Sequence, residues 1–341
     1  KVLTWLLGDM AQGAYSAIWP NTWLLEGDAV TAETALTKAG RGRSADFLEY
    51  YKTAFDEGDT RDWYRWRYGS FRHYTPDHYA LGYMTVAGAR YVYRDTLFTK
   101  RYFDRLATNP FRFWNTQKTL REASGQGFSD SFRTIRETFH SIWEEDVRKR
   151  GEETSYDFME DTDSWYSEPY GIVETEGKIY AVISGLRESP VLSIYDSTSR
   201  RFKEIRPFAE GTSRLRASNR RLWWSEGIPD LRWSLKMTSR IRCYDTVTGK
   251  ITTLTKSGRM FNPYPSEDGK KVAAISLPYE GGSEAVVIST LDGKVLARRT
   301  MPDSLQAAEI CLMGDEAVIL GISNGGSALY RLKSDLSGEL I

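Results

Sequence analysis

The sequence predicts a multidomain chain: an all-α unit followed by an all-β unit that forms part of a β-propeller. Two observations carry this prediction. Apolar residues recur three and four apart up to about Arg150, whereas after Tyr170 they fall in short β-branched runs bounded by glycines and polar turns. In the second half a turn motif also recurs, with Asp196, Asp245 and Asp292 spaced 49 and 47 residues apart.

In the first half, helices are expected over Ser44–Phe55, Tyr79–Tyr93, Lys100–Ala107, Phe113–Ser124 and Ser129–Arg150. Gly40, Gly58, Pro76, Pro110 and Gly125 separate them, and Asn21 or Thr22 after Pro20 starts an earlier helix. The charge-dense Glu144–Arg150 run reads as a solvated helix face. The expected organisation is a helical domain over 1–150, an acidic linker without period over 151–169, and blades over 170–341.

In the second half, Ile179–Ile183, Val191–Tyr195, Lys271–Ile275 and Ala285–Ile288 read as strands. Tyr195-Asp196-Ser197-Thr198-Ser199-Arg200 recurs as Tyr244-Asp245-Thr246-Val247-Thr248-Gly249-Lys250, and more weakly as Thr290-Leu291-Asp292-Gly293-Lys294. A repeat of this length matches one propeller blade, and each such turn would join a blade's two outer strands. Ser266–Lys270 reads as the inner turn of the third blade. Trp223, Trp224 and Trp233 are expected between blades. A β-sandwich of the same strand count is the alternative.

Composition sets limits. At 40% hydrophobic and 13% aromatic, the 341 residues can bury real cores. Forty-six basic residues balance forty-six acidic ones, which argues against bulk-charge binding to nucleic acid. The Arg61–Arg67 run reads as arginines paired with nearby acids. Cys243 and Cys311 lack metal or disulfide spacing and read as buried thiols. No apolar run approaches the roughly 20 residues of a membrane helix. The text starts mid-helix and stops mid-repeat, so a fragment of a longer protein is expected.

The chemistry-bearing stretch is Pro20–Arg43. Within it, Trp23-Leu24-Leu25-Glu26-Gly27-Asp28-Ala29 is followed by Glu33, seven residues beyond Glu26 and therefore on the same helix face. This segment resembles the second metal-ligand helix of gluzincin-type zinc metallopeptidases, whose glutamate is the third zinc ligand. The resemblance implies that Glu26 is a metal ligand and that Gly27 and Ala29 allow close helix packing. It also implies that Glu33 orients a ligand histidine. Zinc in such sites polarises the scissile carbonyl and lowers the pKa of bound water to about 7, using three protein ligands. The companion His-Glu-x-x-His is absent here: His73, His78 and His140 are the only histidines, and none has another four residues away. Zinc is therefore expected in a longer parent and not in this chain alone.

Other candidates follow from the same resemblance. His78 or Tyr83 would stabilise an oxyanion, against the plainer reading of Tyr79 and Tyr83 as core aromatics and Asp77 as a cap. Apart from the resemblance, Arg41 and Arg43 flanking Gly42 would bind a substrate carboxylate, or else pair only with helix C-terminal carbonyls or surface acids. His140 reads as structural. From Tyr170 to Leu332 the Ser-x-Asp-Gly-Lys turns resemble TolB-like and dipeptidyl-peptidase-like propellers, covering about three and a half to four blades. Together the resemblances imply a bacterial periplasmic or secreted peptidase-like protein whose propeller selects a peptide or protein. The competing expectation is an inactive peptidase scaffold whose propeller binds protein or glycan.

Overall fold

A computed structural model describes residues 5–10, 21–70, 72–108, 114–151, 165–209, 212–233, 235–256 and 258–341. The chain divides into two compact units, Lys1–Asp157 and Phe158–Ile341. The expected linker lies mostly outside the described residues. The first strand begins at Ser167, three residues before the sequence pattern suggests.

The first unit is helical. Its elements are α1 (Thr22–Leu36), a 3₁₀ turn (Arg41–Arg43), α2 (Glu49–Asp56), α3 (Trp63–Tyr68), α4 (His78–Val92), α5 (Phe98–Thr108), α6 (Asn115–Ser124) and α7 (Phe128–Arg150). Residues 5–10 are also helical. Asp77 caps α4 as expected, its carboxylate accepting the Tyr79 and Ala80 N–H groups at 2.9 and 3.4 Å. Asp62 caps α3 by accepting from Arg65 N–H at 2.9 Å. Gly125, with φ at 71°, ends α6. The second helix is shorter than its pattern suggests, because Ser44–Leu48 form bends and turns before it.

Trp23, Tyr51, Phe55, Trp66, Met84, Phe98 and Phe132 belong to this unit's core. The closest packing is between α1 and α4. A Cβ on Gly27 would lie 2.2 Å from the Gly82 carbonyl carbon, and one on Gly82 would lie 1.9 Å from the Trp23 carbonyl oxygen. The two backbones touch there, which only glycine permits. Ala29 does not share in this packing and is exposed. Two residues along a helix is a 200° rotation, so it faces away from Gly27. His140 is structural, its Nε2 standing 2.9 Å from an Asp56 carboxylate oxygen beside the Phe55 ring.

Among its described residues the second unit contains four antiparallel sheets in strict chain order. Sheet one is β1 (Ser167–Thr175), β2 (Lys178–Gly185), β3 (Val191–Asp196) and β4 (Arg201–Pro207). Sheet two is β5 (Arg216–Ser218), β6 (Arg221–Pro229), β7 (Met237–Asp245) and β8 (Ile251–Thr253). Sheet three is β9 (Met260–Pro265), β10 (Lys271–Ser276), β11 (Glu284–Ser289) and β12 (Val295–Thr300). Sheet four is β13 (Gln306–Met313), β14 (Glu316–Ser323) and β15 (Gly326–Lys333). The first strand of each sheet touches the first strand of the next, the radial order of propeller blades. Among the described residues three blades thus have four strands and the last has three, an arrangement unlike a sandwich.

The repeated aspartates close the outer hairpins. Asp245 accepts the Val247 and Thr248 N–H groups at 3.0 and 2.8 Å, Asp196 that of Thr198 at 3.1 Å, and Asp292 that of Lys294 at 3.3 Å. Trp223 and Trp224 project from opposite faces of β6. Trp224 belongs to a cluster with Tyr180 and Leu192 of the first sheet, and Trp223 to one with Val272 and Val286 of the third. Trp233 is not between blades: it is 61% exposed, in a turn where the Asp230 carboxylate accepts its N–H at 3.1 Å. Cys243 is buried in β7, whereas Cys311 in β13 is only half-buried.

Candidate functional site

The close packing of α1 on α4 brings Glu26 next to the first turn of α4. Glu26 is half-buried, and Tyr79 is its neighbour. Partial burial, then the nearby charge of Glu26, hold the Tyr79 phenol above its ordinary pKa. The Arg41 guanidinium lies over the Tyr79 ring, 4.9 Å from its centroid.

Glu33, two turns beyond Glu26, faces Arg41. A single carboxylate oxygen of Glu33 accepts both the Arg41 backbone N–H at 2.9 Å and Nε–H at 2.8 Å. These bonds to Arg41 hold Glu33 below its usual carboxylate pKa. Thr34 holds the other side of the turn: its hydroxyl accepts the Gly42 N–H at 3.0 Å and its carbonyl accepts from Arg43 Nη2 at 2.7 Å. Tyr83 packs under this turn. A Cβ on Gly42 would lie 2.5 Å from Tyr83 Cζ, and the Phe47 ring stands edge-on to Tyr83 at 5.9 Å. Burial raises the Tyr83 phenol pKa, which the nearby Arg43 charge partly offsets.

The structure therefore brings Glu26, Glu33 and Arg41 into one cluster through Tyr79. Arg43 and Tyr83 serve the turn at its flank. His78 sits at the first position of α4, its ring 4.7 Å from that of Tyr79. Tyr79 is the residue that sequence reasoning missed. Its pairing with Tyr83 at one-turn spacing suggested core, yet it is half-buried beside charge. The signal for it is spatial: Glu26 adjoins Gly27, and Tyr79 lies one turn before Gly82, so the glycine contact sets the two side by side.

A zinc peptidase centre needs three protein ligands and an open position. Among the described residues, no three of His, Cys, Asp and Glu converge on one point. Glu26 offers a single carboxylate, with Tyr79 beside it. The described residues do not by themselves fit a zinc centre.

No protein-family model matches the chain, and no curated protein is significantly similar to it. Solved structures match about half of this chain at low identity. The β-propeller domain of the Trilobed protease from Pyrococcus furiosus is 12% identical with a TM-score of 0.38, over 48% of this chain and 50% of that one. TolB from Acinetobacter baumannii is 18% identical with a TM-score of 0.30, over 48% and 42%. The acylaminoacyl peptidase of Pyrococcus horikoshii is 13% identical with a TM-score of 0.37, over 52% and 32%. Each match spans half or less of the other protein. Among the described residues, no helix is long and apolar enough to cross a membrane.

Proposed function

We propose that this chain is the glutamate-bearing part of a bacterial, periplasmic or secreted zinc-peptidase-like protein, joined to a propeller that binds peptide or protein. In this reading Glu26 contributes one metal ligand to a centre whose histidines lie outside the chain. The observation that carries it is the seating of Glu26: a half-buried carboxylate at a glycine-to-glycine helix crossing, with a phenol and a guanidinium beside it. Two backbones in contact with a carboxylate at the seam is a costly arrangement that a plain surface helix does not need. When bound, zinc would supply the Lewis acid and the activated water. Tyr79 would hold the Glu26 carboxylate in one orientation, and Arg41 would keep the positive charge of the site near it.

A second reading is favoured by one observation. Arg41 is already engaged by Glu33 and by the Tyr79 ring next to Glu26, as it would be in a scaffold that binds a partner through its propeller without catalysis. One experiment separates the two. Zinc content and peptide hydrolysis are measured for this chain, for the whole product of its gene, and for that product carrying Glu26→Gln. The expected result is stoichiometric zinc and hydrolysis in the whole product, with both lost in Glu26→Gln and neither present in the chain alone. Zinc and hydrolysis that survive Glu26→Gln overturn the ligand role. A whole product with neither leaves the binding scaffold as the function.

A further inference from the structure

The Gly40-Arg41-Gly42-Arg43 turn is built more tightly than a connection between helices requires. A Cβ on Gly40 would lie 2.3 Å from the Thr34 Cα, and one on Gly42 would collide with the Tyr83 ring. Neither glycine has the left-handed φ that would make its presence a matter of backbone conformation alone. Close approach is the reason for both. Once seated, the turn is held at three points: Glu33 on the Arg41 backbone, Thr34 on the Gly42 backbone, and the Thr34 carbonyl on Arg43. All three fix the backbone or its flank. One further bond, from Arg41 Nε–H to Glu33, fixes the direction of the Arg41 side chain itself. That direction is over the face of Tyr79.

We propose that Glu33 and Arg41 are positioning residues: the clamped turn holds the Arg41 guanidinium on the Tyr79 ring and so fixes the place of Tyr79 beside Glu26. In this role the pair acts on Tyr79 and not on substrate. An exposed ion pair alone would be too weak and mobile for this task. Here the shared Glu33 oxygen and the fixed backbone limit Arg41 to one geometry. The role of the clamp in catalysis rests on the proposed peptidase reading, but the clamp itself does not.

The test uses this chain with ¹⁵N-labelled arginine and ¹³C-labelled tyrosine ring carbons. The Arg41 Hε resonance is expected to exchange slowly, and Glu33→Ala to speed that exchange by roughly tenfold, the equivalent of one charge-assisted hydrogen bond. Glu33→Gln keeps the acceptor oxygen and is expected to restore part of the protection. Arg41→Ala, a change at an exposed side chain that leaves the turn backbone bonds intact, is expected to shift the Tyr79 ring resonances. Arg41→Lys is expected to restore them only in part, because lysine lacks the Nε bond. Tyr79 resonances unmoved in Arg41→Ala, with the fold intact, overturn the proposal. In the whole gene product, if it hydrolyses peptides, Arg41→Ala should lower kcat while leaving KM nearly unchanged. A raised KM at constant kcat would make Arg41 a substrate contact and overturn the positioning role. Shifted resonances in a product without hydrolysis would keep the clamp and remove the peptidase reading.

Discussion

At the scale of single residues, the helical unit depends on a side chain that is missing. Gly82 has helical backbone geometry, so alanine there would ordinarily favour the helix by about 1 kcal/mol. Its Cβ, however, would stand 1.9 Å from the Trp23 carbonyl oxygen, a backbone atom that moves only if α1 moves. Overpacking of this kind costs on the order of 3 kcal/mol and outweighs the propensity gain. Gly82→Ala is therefore expected to lower the thermal midpoint of the helical signal at 222 nm by several degrees. Ala29→Ser, on the exposed side of α1, should change stability by no more than about 0.5 kcal/mol. Equal midpoints for the two variants would show that α1 and α4 separate easily, and the seating of Glu26 would lose its structural basis. Both glycines are plain in the sequence, but their contact spans 55 positions and no local pattern reveals it. The same holds for Tyr79, whose one-turn spacing to Tyr83 is as good a core signal as a site signal.

At the scale of elements, the propeller turns were legible because their physics is local. An aspartate followed by polar residues and glycine folds back on its own N–H groups, and the sequence carries every part of that device. Asp196 is held below its usual pKa first by the Lys203 hydrogen bond, Asp245 first by the Thr248 N–H, Asp268 by the Ser266 hydroxyl and Asp292 by the Ser289 hydroxyl. The sign is the same for all four. A carboxylate with a depressed folded pKa adds stability that is present above its unfolded pKa, about 3.9, and is lost as pH falls through the folded value. The sheets should thus keep their stability down to about pH 4 and lose it progressively below that. Asp245→Asn retains an acceptor but no charge, and is expected to flatten this acid limb when denaturant midpoints are compared between neutral and acid pH. An unchanged limb would place the acid sensitivity elsewhere. Where the determinants are not local, the pattern fails. The first residues of β1 (Ser167–Pro169) pair with Ile183–Gly185 of β2 rather than carrying a strand pattern of their own, and the alternation misses them. Trp233 reads as a packing residue by type, yet a turn fixed by Asp230 holds it out.

At the scale of the whole propeller unit, the four sheets form a chain of neighbours, and β6 shows how the links are made. Alternation along a strand puts Trp223 and Trp224 on opposite faces, so one pins the second sheet to the third and the other pins it to the first. The Trp224 indole N–H also donates to the buried Glu226 at 3.1 Å, a carboxylate that Arg240 and Arg242 hold from β7. Replacing either tryptophan by alanine removes about 3–5 kcal/mol of packing, but from different interfaces. In an array where each sheet touches mainly its neighbours, stability is a sum of sheet and interface contributions. Trp224→Ala is then expected to accelerate amide exchange in β1–β8, and Trp223→Ala in β5–β12, with β13–β15 protected in the first variant and β1–β4 in the second. Uniform acceleration in all four sheets would mean that the unit opens in one step. Trp224→Ala should be the more damaging of the two, because it also takes a hydrogen bond from a buried charge. The ranking follows from the carboxylate rather than from the rings, which are equally buried. Trp224→Phe tests this point, since it keeps most of the packing and removes the donor: a loss close to that of alanine assigns the difference to Glu226.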